Sequence, residues 1–439
     1  MKRPRFVTAD WVVAVAAVYA ALIVLMPLPS VVAADTNSEW KPLLDNSKQP
    51  EAANGRPIDT YRHDASKEWG YAKGKRNTVF YVVHPKKDRE RAPLYVVLHG
   101  AGHSSWSALE AGYSRSADGS YNDHGLYHAP DDFYGLYLSG DSWWGRDVPG
   151  KPEEYAEHDS PVEKRVLDTV AWVIDKYTID PDRVYLAGIS MGGSGSLGIG
   201  MRHGEMFAST MVWVPAGTKH VARRMFFGKK MPAGLSIPDP PVVVDMSAQN
   251  DGWSAGQDVL IRSAAERKYP LIMGWAPFGH TGNTSVYTDN CGATMAFPWL
   301  EIRRNQAYPV FTAATSDQRP PWLNPDGDKQ GQINAYFRWK NVEDTARAFS
   351  MHIWLAQPTI KTASPADTPK ESVADITFRR LQKFRIAPGK NCSWELVRGG
   401  RIVASGILQL DAAGLLTVPK VMITADPAEI RLRVAGESR

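Results

Sequence analysis

The chain has 439 residues, a formal net charge of +4 and 43% hydrophobic residues, with 15 Trp. This length exceeds one typical domain, and this composition is sufficient for packed cores, which excludes a disordered protein. Lys and Arg are scattered, so a nucleic-acid partner is not expected. The sequence has no Cys/His cluster with metal-ligand spacing and no phosphate-binding Gly-rich loop, so neither a metal nor a cofactor is expected. Cys291 and Cys392 are interpreted as separate buried thiols, with a disulfide as the alternative.

The first 34 residues have the pattern of an export segment. Three basic residues among the first five precede the apolar run 11–26, and small residues follow at 32–34. This pattern predicts a secretory signal peptide, with an uncleaved membrane anchor as the alternative. Either one predicts an extracytoplasmic protein, periplasmic or secreted, that contacts a membrane only through this segment. Residues 35–57, rich in Asp, Asn, Ser, Lys and Pro, are predicted to form a polar tether.

Residues 58–303 are predicted to form an α/β unit. The clearest helix is predicted at 161–177, where a Ser-Pro-Val-Glu capping box precedes apolar residues at helical spacing. Because strands alternate with helical stretches, we expect a doubly wound, mostly parallel sheet with helices on both faces. β-branched and apolar runs predict its strands at 77–84, 93–98, 134–138, 184–187, 208–214, 242–246 and 271–275.

Residues 304–439 change to short β-type runs, which predict an antiparallel, sandwich-like accessory domain. Gly399-Gly400 and Asp411–Gly414 resemble hairpin turns. The Pro/Thr/Ser/Ala-rich stretch 358–370 is a loop within this domain or a linker that divides it. The predicted strands are 308–312, 335–339, 350–355, 394–397, 402–408, 415–423 and 430–434.

The motif Gly-Ile-Ser-Met-Gly at 188–192 lies between the strand run 184–187 and a segment compatible with a helix. This G-x-S-x-G pattern between strand and helix is typical of a nucleophile elbow. The elbow turns so sharply that a side chain at either glycine would collide with a neighbouring element, and the serine itself is held in a strained conformation. Ser190 is therefore the predicted nucleophile.

A serine hydroxyl needs a base that takes its proton. The histidines that follow Ser190 are His203, His220, His280 and His352. His203 lies on the helix that starts at the nucleophile, about three turns away, and is too far from it. His280 lies in a Gly-flanked loop directly after a strand-like run, and we predict that it is the base.

The base in turn needs a group that orients it. Asp251 lies in the loop that follows the predicted strand 242–246, and it precedes His280 in the chain. We predict Asp251 as the acid of the site. Asp245, on the strand itself, and Asp258, at the start of a helix, are the alternatives.

Backbone N–H groups are predicted to hold the oxyanion of a tetrahedral intermediate. Met191, directly after the nucleophile, offers one donor, and the loop after the strand 93–98 offers a second from Ala101 or Gly102. Ligand sites of open α/β sheets lie at the carboxyl ends of the strands. On that ground the predicted substrate pocket consists of His99, Trp143, Trp144, Trp253 and Phe278.

With these residues in place, the segment 76–303 resembles the α/β-hydrolase superfamily. Residues 177–193 are similar to the nucleophile region of the polyhydroxybutyrate depolymerase and feruloyl/acetylxylan esterase branch, and also to that of prolyl-oligopeptidase-type hydrolases. The resemblance implies a Ser-Asp-His acyl-enzyme mechanism with Ser190, Asp251 and His280. The acid loop departs from the usual Gly-x-x-Asp pattern because Ser247 stands near the expected glycine. The C-terminal region is loosely similar to fibronectin-type or immunoglobulin-like domains.

We therefore expect an exported serine esterase that hydrolyses carboxylic esters of polymer-derived or plant-polysaccharide type. The first alternative is a serine peptidase of the prolyl-oligopeptidase type. The 57 residues before the hydrolase unit are too few for the propeller of the full-length peptidases, which favours the esterase. The second alternative is a binding protein that keeps the hydrolase fold without catalysis.

Overall fold

The computed structural model describes residues 41–45, 55–63, 67–71, 79–87, 89–113, 125–144, 155–253, 256–280, 289–318, 330–357 and 368–434. The predicted export segment lies outside these ranges. The described residues all belong to one compact unit, 40–439. Among them, no helix combines the length and the apolar character that crossing a bilayer requires.

The described residues before 300 form nine strands, and the seven predicted between residues 77 and 275 are all among them. The strands are β1 (Leu43–Leu44), β2 (Ile58–Arg62), β3 (Val79–Val83), β4 (Leu94–Leu98), β5 (Tyr134–Leu138), β6 (Val184–Ile189), β7 (Ser209–Trp213), β8 (Val242–Ala248) and β9 (Leu271–Ala276). The helices are α1 (Ser105–Tyr113), α2 (Pro161–Lys176), α3 (Met191–Arg202), α4 (Lys219–Arg224), α5 (Gln257–Arg267) and α6 (Asp289–Met295), with 3₁₀ turns at Gly125–Tyr127 and Trp299–Glu301.

The remaining strands follow the hydrolase unit along the chain. They are β10 (Tyr308–Thr312), β11 (Gly331–Ile333), β12 (Phe337–Asp344), β13 (Ala348–Leu355), β14 (Glu371–Arg379), β15 (Cys392–Arg398), β16 (Arg401–Leu408), β17 (Thr417–Thr424) and β18 (Ala428–Val434). Sequence analysis predicted all of them except β11 and β14.

The central sheet has ten strands in the order β1-β2-β3-β5-β4-β6-β7-β8-β9-β11. The six middle strands, β5-β4-β6-β7-β8-β9, run parallel to one another. On either side of them, β3 pairs antiparallel with β5 and β11 pairs antiparallel with β9. β4 and β8 are buried along their whole length, as expected for parallel strands covered on both faces. The predicted mostly parallel α/β sheet is therefore confirmed.

Helix α2 confirms the predicted capping box. The Glu163 N–H donates to Ser160 Oγ at 3.3 Å, and the Ser160 N–H donates to Glu163 Oε2 at 3.2 Å. These bonds satisfy two N–H groups that have no partner within the helix. The apolar face of α2 packs on the sheet through Val166 and Val170, which are fully buried.

The accessory region is an antiparallel sandwich, as predicted. A three-stranded sheet, β10-β14-β17, and a five-stranded sheet, β12-β13-β18-β15-β16, enclose one apolar core. Gly399 and Gly400 form the predicted hairpin turn, with φ of +55° and +76°, between β15 and β16. The hairpin predicted at Asp411–Gly414 is wrong, because this turn joins β16 and β17, which belong to different sheets. Cys291 and Cys392 are both buried, and no disulfide joins them.

Two arginines at the end of β14 attach the sandwich to the hydrolase unit. Arg379 donates to the carbonyl oxygens of Arg267 at 2.7 Å and Lys268 at 2.5 Å, just before β9. Arg380 donates to the Phe207 carbonyl oxygen at 3.0 Å, just before β7. Both contacts lie at the amino ends of the parallel strands. The sandwich is thus joined to the sheet edge opposite to the one that carries Ser190.

Candidate active site

Ser190 connects β6 to α3 in a strained backbone conformation, with φ 57° and ψ −118°. Non-glycine residues rarely adopt a positive φ, and such strain concentrates at functional sites. A Cβ on Gly188 would lie 2.2 Å from the Gly192 carbonyl oxygen, and a Cβ on Gly192 would lie 1.8 Å from the Leu98 carbonyl oxygen. Both glycines of the motif are therefore required by close backbone approach, as predicted.

The three side chains singled out as nucleophile, base and acid meet at one point. Ser190 Oγ lies 2.7 Å from His280 Nε2, and His280 Nδ1 lies 2.6 Å from Asp251 Oδ2. Because the ionised carboxylate only accepts, Nδ1 carries the imidazole proton and Nε2 accepts from the serine hydroxyl. The Asp251 side chain is 1% exposed and that of His280 is 26% exposed. The His280 imidazole is thus hydrogen-bonded to a buried carboxylate and remains accessible to solvent.

The loops that carry Asp251 and His280 are bonded to each other beyond the ends of β8 and β9. The Asn250 N–H donates to the Phe278 carbonyl oxygen at 3.0 Å, and Asn250 Nδ2 donates to the Pro277 carbonyl oxygen at 3.1 Å. The second carboxylate oxygen of Asp251 accepts the Trp253 N–H at 2.8 Å. These bonds fix the acid relative to the base without any contact to the nucleophile.

The alternative acids are occupied elsewhere. Asp245 accepts hydrogen bonds from Ser247 Oγ at 2.7 Å and Gln257 Nε2 at 3.3 Å inside the fold. Asp258 pairs with Arg262 one turn along α5 at 2.8 Å. Neither of them contacts His280 among the described residues.

The predicted oxyanion donors lie beside the nucleophile. Met191 is the first residue of α3, and N–H groups in the first turn of a helix have no partner within it. A Cβ on Gly100 would lie 3.6 Å from Ser190 Cβ, so the loop after β4 passes next to the serine. In the described part of the chain, no acceptor lies on the N–H groups of Ala101 and Gly102, and both residues are exposed.

Trp143, predicted to line the pocket, lies in the core instead. It is fully buried, and its Nε1 donates to the His99 carbonyl oxygen at 2.9 Å. A Cβ on Gly195 would lie 2.3 Å from Trp143 Cβ, so the indole fills the space that this glycine leaves along α3. Trp144 is half-buried, with its ring 6.0 Å from that of His220. Trp143 thus packs against helix α3, which begins directly after the nucleophile.

His99 is also buried, and it ties two loops together. Its Nε2 accepts the Gly140 N–H at 3.1 Å, so Nδ1 carries the proton and donates to the Gly100 carbonyl oxygen at 2.8 Å. Burial lowers the pKa of His99 to about 4, which keeps the ring neutral. His99 therefore lies behind the surface of the site and does not line the substrate pocket, contrary to the prediction.

Trp253 is the predicted pocket residue that stands at the surface beside the base. Its side chain is 63% exposed, and its ring centroid lies 6.4 Å from that of His280. Phe278 is buried beneath the same loops. An exposed indole of this size next to the imidazole offers a face on which an aromatic or sugar ring can stack.

Sequence analysis missed Val214 and Tyr127. Val214 has a φ of +39°, which is unusual for a β-branched residue, and it lies in the loop after β7 that wraps the elbow. Two residues later, the Ala216 N–H donates to the Ser190 carbonyl oxygen at 3.0 Å. The Tyr127 hydroxyl accepts the Gly100 N–H at 2.7 Å. Neither position carries a local sequence signal, because each acts through contacts with distant residues.

A group of charged residues lies at the other end of α3. We name it the buried ion cluster: Asp159, Glu163, His203, Glu205 and Arg224. Ligand atoms of three members, Asp159, Glu163 and His203, lie within 4.8 Å of one another, a spacing compatible with a metal. However, Glu163 Oε1 already accepts from Arg224 Nη2 at 2.7 Å and from Nε at 3.1 Å. A cation would have to displace this guanidinium, so the cluster fits an ion-pair network better than a metal site.

Comparison with known proteins agrees with this fold. Residues 72–279 match the model of a family described as Esterase, putative esterase. This match, together with the mostly parallel sheet, supports a carboxylic ester hydrolase with an α/β-hydrolase fold. No curated protein matches it.

Similar solved structures include three hydrolases. An S-formylglutathione hydrolase from Agrobacterium tumefaciens is 16% identical, with 53% of this chain and 91% of that chain covered and a TM-score of 0.36. A fluorophosphonate-binding serine hydrolase from Staphylococcus aureus is 12% identical, with 52% and 92% covered and a TM-score of 0.34. An acetyl xylan esterase from Aspergillus awamori is 13% identical, with 48% and 91% covered and a TM-score of 0.32.

Proposed function

We propose that this esterase is exported and hydrolyses carboxylic esters of polymer-derived or plant-polysaccharide type through a Ser-Asp-His acyl-enzyme mechanism. The observation that supports the mechanism is the unbroken hydrogen-bond chain from Ser190 Oγ through His280 to Asp251, with links of 2.7 and 2.6 Å. The export pattern of the first 34 residues supports the location.

In the acylation step, Ser190 Oγ attacks the ester carbonyl carbon while its proton passes to His280 Nε2. Asp251 stabilises the imidazolium that forms. The N–H groups of Met191 and Ala101 hold the negative oxygen of the tetrahedral intermediate. When this intermediate collapses, the carbon–oxygen bond to the alcohol breaks, and His280 returns the proton to the leaving alkoxide oxygen.

In the deacylation step, the same groups act on a water molecule. His280 Nε2 takes a proton from the water, whose oxygen attacks the acyl carbon of the ester to Ser190. The second tetrahedral intermediate expels Ser190 Oγ, which regains its proton from the imidazolium. The products are the free alcohol and the carboxylic acid, and the enzyme returns to its initial state.

The substrate class rests on the surface beside His280. Trp253 presents its exposed ring there, which supports an ester with an aromatic acyl group or a sugar alcohol. The small residues Ala101 and Gly102 leave the opposite loop open to a bulky substrate. An extended polymer end with such rings fits this exposed setting.

The test compares p-nitrophenyl acetate, methyl ferulate and a chromogenic proline peptide, with Ser190→Ala as the matched variant. We expect turnover of both esters in the extracytoplasmic fraction, no cleavage of the peptide, and a loss of kcat on the order of 10⁶-fold in Ser190→Ala. Preferred peptide cleavage would favour the peptidase alternative. Ester turnover that persists in Ser190→Ala would refute the proposed nucleophile.

A further inference from the structure

The loop after β4 is fixed at Gly100 by hydrogen bonds to both of its backbone groups. The Gly100 N–H donates to Tyr127 Oη at 2.7 Å, and the Gly100 carbonyl oxygen accepts from the His103 N–H at 3.2 Å and from His99 Nδ1 at 2.8 Å. In a trans peptide the C=O and the following N–H point in opposite directions. The bonds to the Gly100 carbonyl oxygen therefore set the direction of the Ala101 N–H, while the bond from the Gly100 N–H to Tyr127 fixes the preceding peptide unit and so the position of this glycine beside Ser190.

Tyr127 is itself held rigidly. It ends the 3₁₀ turn Gly125–Tyr127, and its carbonyl oxygen accepts from Tyr137 Oη at 2.5 Å. The preceding carbonyl oxygen, of Leu126, accepts from Tyr95 Oη at 2.6 Å. A Cβ on Gly112 of α1 would lie 2.5 Å from the Tyr127 carbonyl oxygen, so this helix packs directly on the turn. The side chain of Tyr127 is fully buried, so its hydroxyl has one fixed position.

The electrostatic state of the Tyr127 hydroxyl suits this contact. Burial raises the pKa of Tyr127 above its ordinary value, so the phenol stays neutral across the working range of the enzyme. A neutral oxygen accepts the Gly100 N–H without adding a negative charge beside the position where the oxyanion forms. A carboxylate in its place would repel that oxyanion.

We propose that Tyr127 is a positioning residue for the oxyanion site: its hydroxyl holds the Gly100 amide so that the Ala101 N–H is directed at the oxyanion. This inference rests on the proposed function, because the oxyanion exists only in that mechanism. The purely structural reading is that the hydroxyl only satisfies a buried amide. The two readings differ in whether removing the hydroxyl weakens binding of the transition state or only the stability of the fold.

The test is Tyr127→Phe with Tyr308→Phe as its matched control. Both variants remove one buried tyrosine hydroxyl that bonds to the backbone, but Tyr308 Oη donates to the Pro240 carbonyl oxygen at 2.5 Å, just before β8 and without a bond to the oxyanion loop or to the turn that carries Tyr127. We expect Tyr127→Phe to lower kcat by about 10- to 100-fold, a fraction of the loss of a whole oxyanion donor, with KM within about twofold. Tyr308→Phe should keep kcat within about twofold of wild type. Both should lower Tm by similar amounts.

A transition-state analogue gives a readout that a structural role would not change. A trifluoromethyl ketone forms a tetrahedral adduct with the serine and places an oxyanion in the site. Its affinity should fall in Tyr127→Phe by the same factor as kcat and stay unchanged in Tyr308→Phe. Equal kcat and equal analogue affinity in both variants and in wild type would overturn the inference.

Gly100→Ala keeps the test decisive if Tyr127→Phe does not fold. Its Cβ would lie 3.3 Å from both Tyr127 Oη and the Ile189 carbonyl oxygen, so the glycine and the Tyr127 hydroxyl must shift apart by a few tenths of an ångström. A similar loss of kcat and of analogue affinity is expected, and an unchanged kcat would overturn the inference. Ser190→Ala is measured in parallel. If wild-type turnover does not depend on Ser190, the proposed function itself has failed, which is a separate result from a Tyr127→Phe enzyme with full activity.

Discussion

The two ends of helix α3 contact clusters that are built from the same residue types and do different things. At its start, His280 lies between the Ser190 hydroxyl and a single carboxylate, that of Asp251. At its end, His203 contacts Glu163 at 3.1 Å and the two other carboxylates of the buried ion cluster at 3.3 and 2.8 Å. The number of carboxylates around the ring therefore distinguishes the two sites.

That difference decides which imidazole has a ring nitrogen that can accept a proton. Both nitrogens of His203 face carboxylates, and although burial opposes the charge, these hydrogen bonds raise the pKa of His203 well above its ordinary value. The ring is thus a permanent cation near neutral pH and cannot take a proton. In His280, Nε2 faces a neutral hydroxyl and remains an acceptor, as a general base requires.

The carboxylates of the buried ion cluster are held ionised in return. Burial opposes their charge, but the hydrogen bonds and charges of His203 and Arg224 outweigh it, lowering the pKa of Asp159 to about 2 and that of Glu163 below its ordinary value. A histidine beside carboxylates is therefore not in itself a sign of catalysis. One carboxylate, one hydroxyl and access from solvent make a base, whereas several carboxylates and an arginine make an internal ion pair.

The largest expected effect comes from Asp251→Asn at the catalytic end. Because one oxygen of this side chain accepts the Trp253 N–H, an amide would turn its NH2 group toward His280 Nδ1 and donate to it, which moves the imidazole proton to Nε2. We expect kcat to fall by about 10⁴-fold with little change in Tm. Steady-state ester hydrolysis and thermal melts measure the two quantities.

Asp258→Asn is the matched control for this change, because Asp258 was an alternative acid and only pairs with Arg262. It should leave kcat within about twofold and cost no more than ~0.5 kcal/mol of stability. If Asp258→Asn reduced activity as strongly as Asp251→Asn, the proposed acid would be misassigned.

At the structural end, Glu163→Gln should produce the opposite pattern. It removes the fully buried carboxylate that Arg224 and His203 share and leaves them only the partly exposed Asp159 in common, and breaking a buried pair in this way costs roughly 3–5 kcal/mol. The kcat of the folded protein should stay near the wild-type value. Urea unfolding and ester assays on the same preparation provide both readings, with Glu205→Gln, whose carboxylate is 45% exposed, as the control that costs less than ~1 kcal/mol.

The sign of the pH dependence follows from the pKa shifts of this cluster. Glu163, with a lowered pKa, stabilises the fold above its unfolded value of 4.5, and this is lost as the pH falls through the folded value. His203, with a raised pKa, stabilises the fold below its unfolded value of 6.5, and this is lost as the pH rises through the folded value. The loss of stability caused by Glu163→Gln should therefore be greatest between the two unfolded-state values, pH 4.5 and pH 6.5. A cost that kept growing below pH 4 would contradict the ion-pair interpretation.

The residues at the catalytic end of α3 could be predicted from sequence because each of them lies in a recognisable local sequence pattern. The elbow motif needs glycines at fixed spacing around Ser190, and Asp251 and His280 each follow the end of a parallel strand. Such strand ends meet at one edge of the sheet, so residues far apart in the chain are brought together by the fold itself. The capping box at the start of α2 is local in the same way.

The other features depend on contacts that no local pattern reveals. Trp143 occupies the same kind of strand-end position as a pocket residue, but Gly195 opens a space in α3 that the indole fills from below. Tyr127 bonds to Gly100 across 27 residues. Strand β14 was missed because its buried face begins with the polar Ser372 and the small Ala374, so that only Ile376 and Phe378 give an apolar signal.

The smallest expected effect comes from a third kind of buried acid, one without a cation. Asp245 on β8 is fully buried, and its hydrogen-bond partners Ser247 and Gln257 are both neutral. Burial raises the pKa of Asp245 to about 7 from an unfolded value of 3.8, so the folded state binds this proton more tightly. The stability this provides is fully present below pH 3.8 and is lost as the pH rises through 7.

Asp245→Asn removes this titration while keeping a group of similar shape. Relative to wild type, the variant should gain stability steadily as the pH rises from 4 to 8, by at most a few kcal/mol, with kcat unchanged near pH 6. Urea unfolding at pH 4, 6 and 8 measures the difference. A difference that is the same at all three pH values would mean that Asp245 is ionised in the folded protein throughout, with a stabilising partner like that of Glu163. A buried carboxylate without a cation, such as Asp245, and one paired with a cation, such as Glu163, would then change the stability of this fold with pH in the same way.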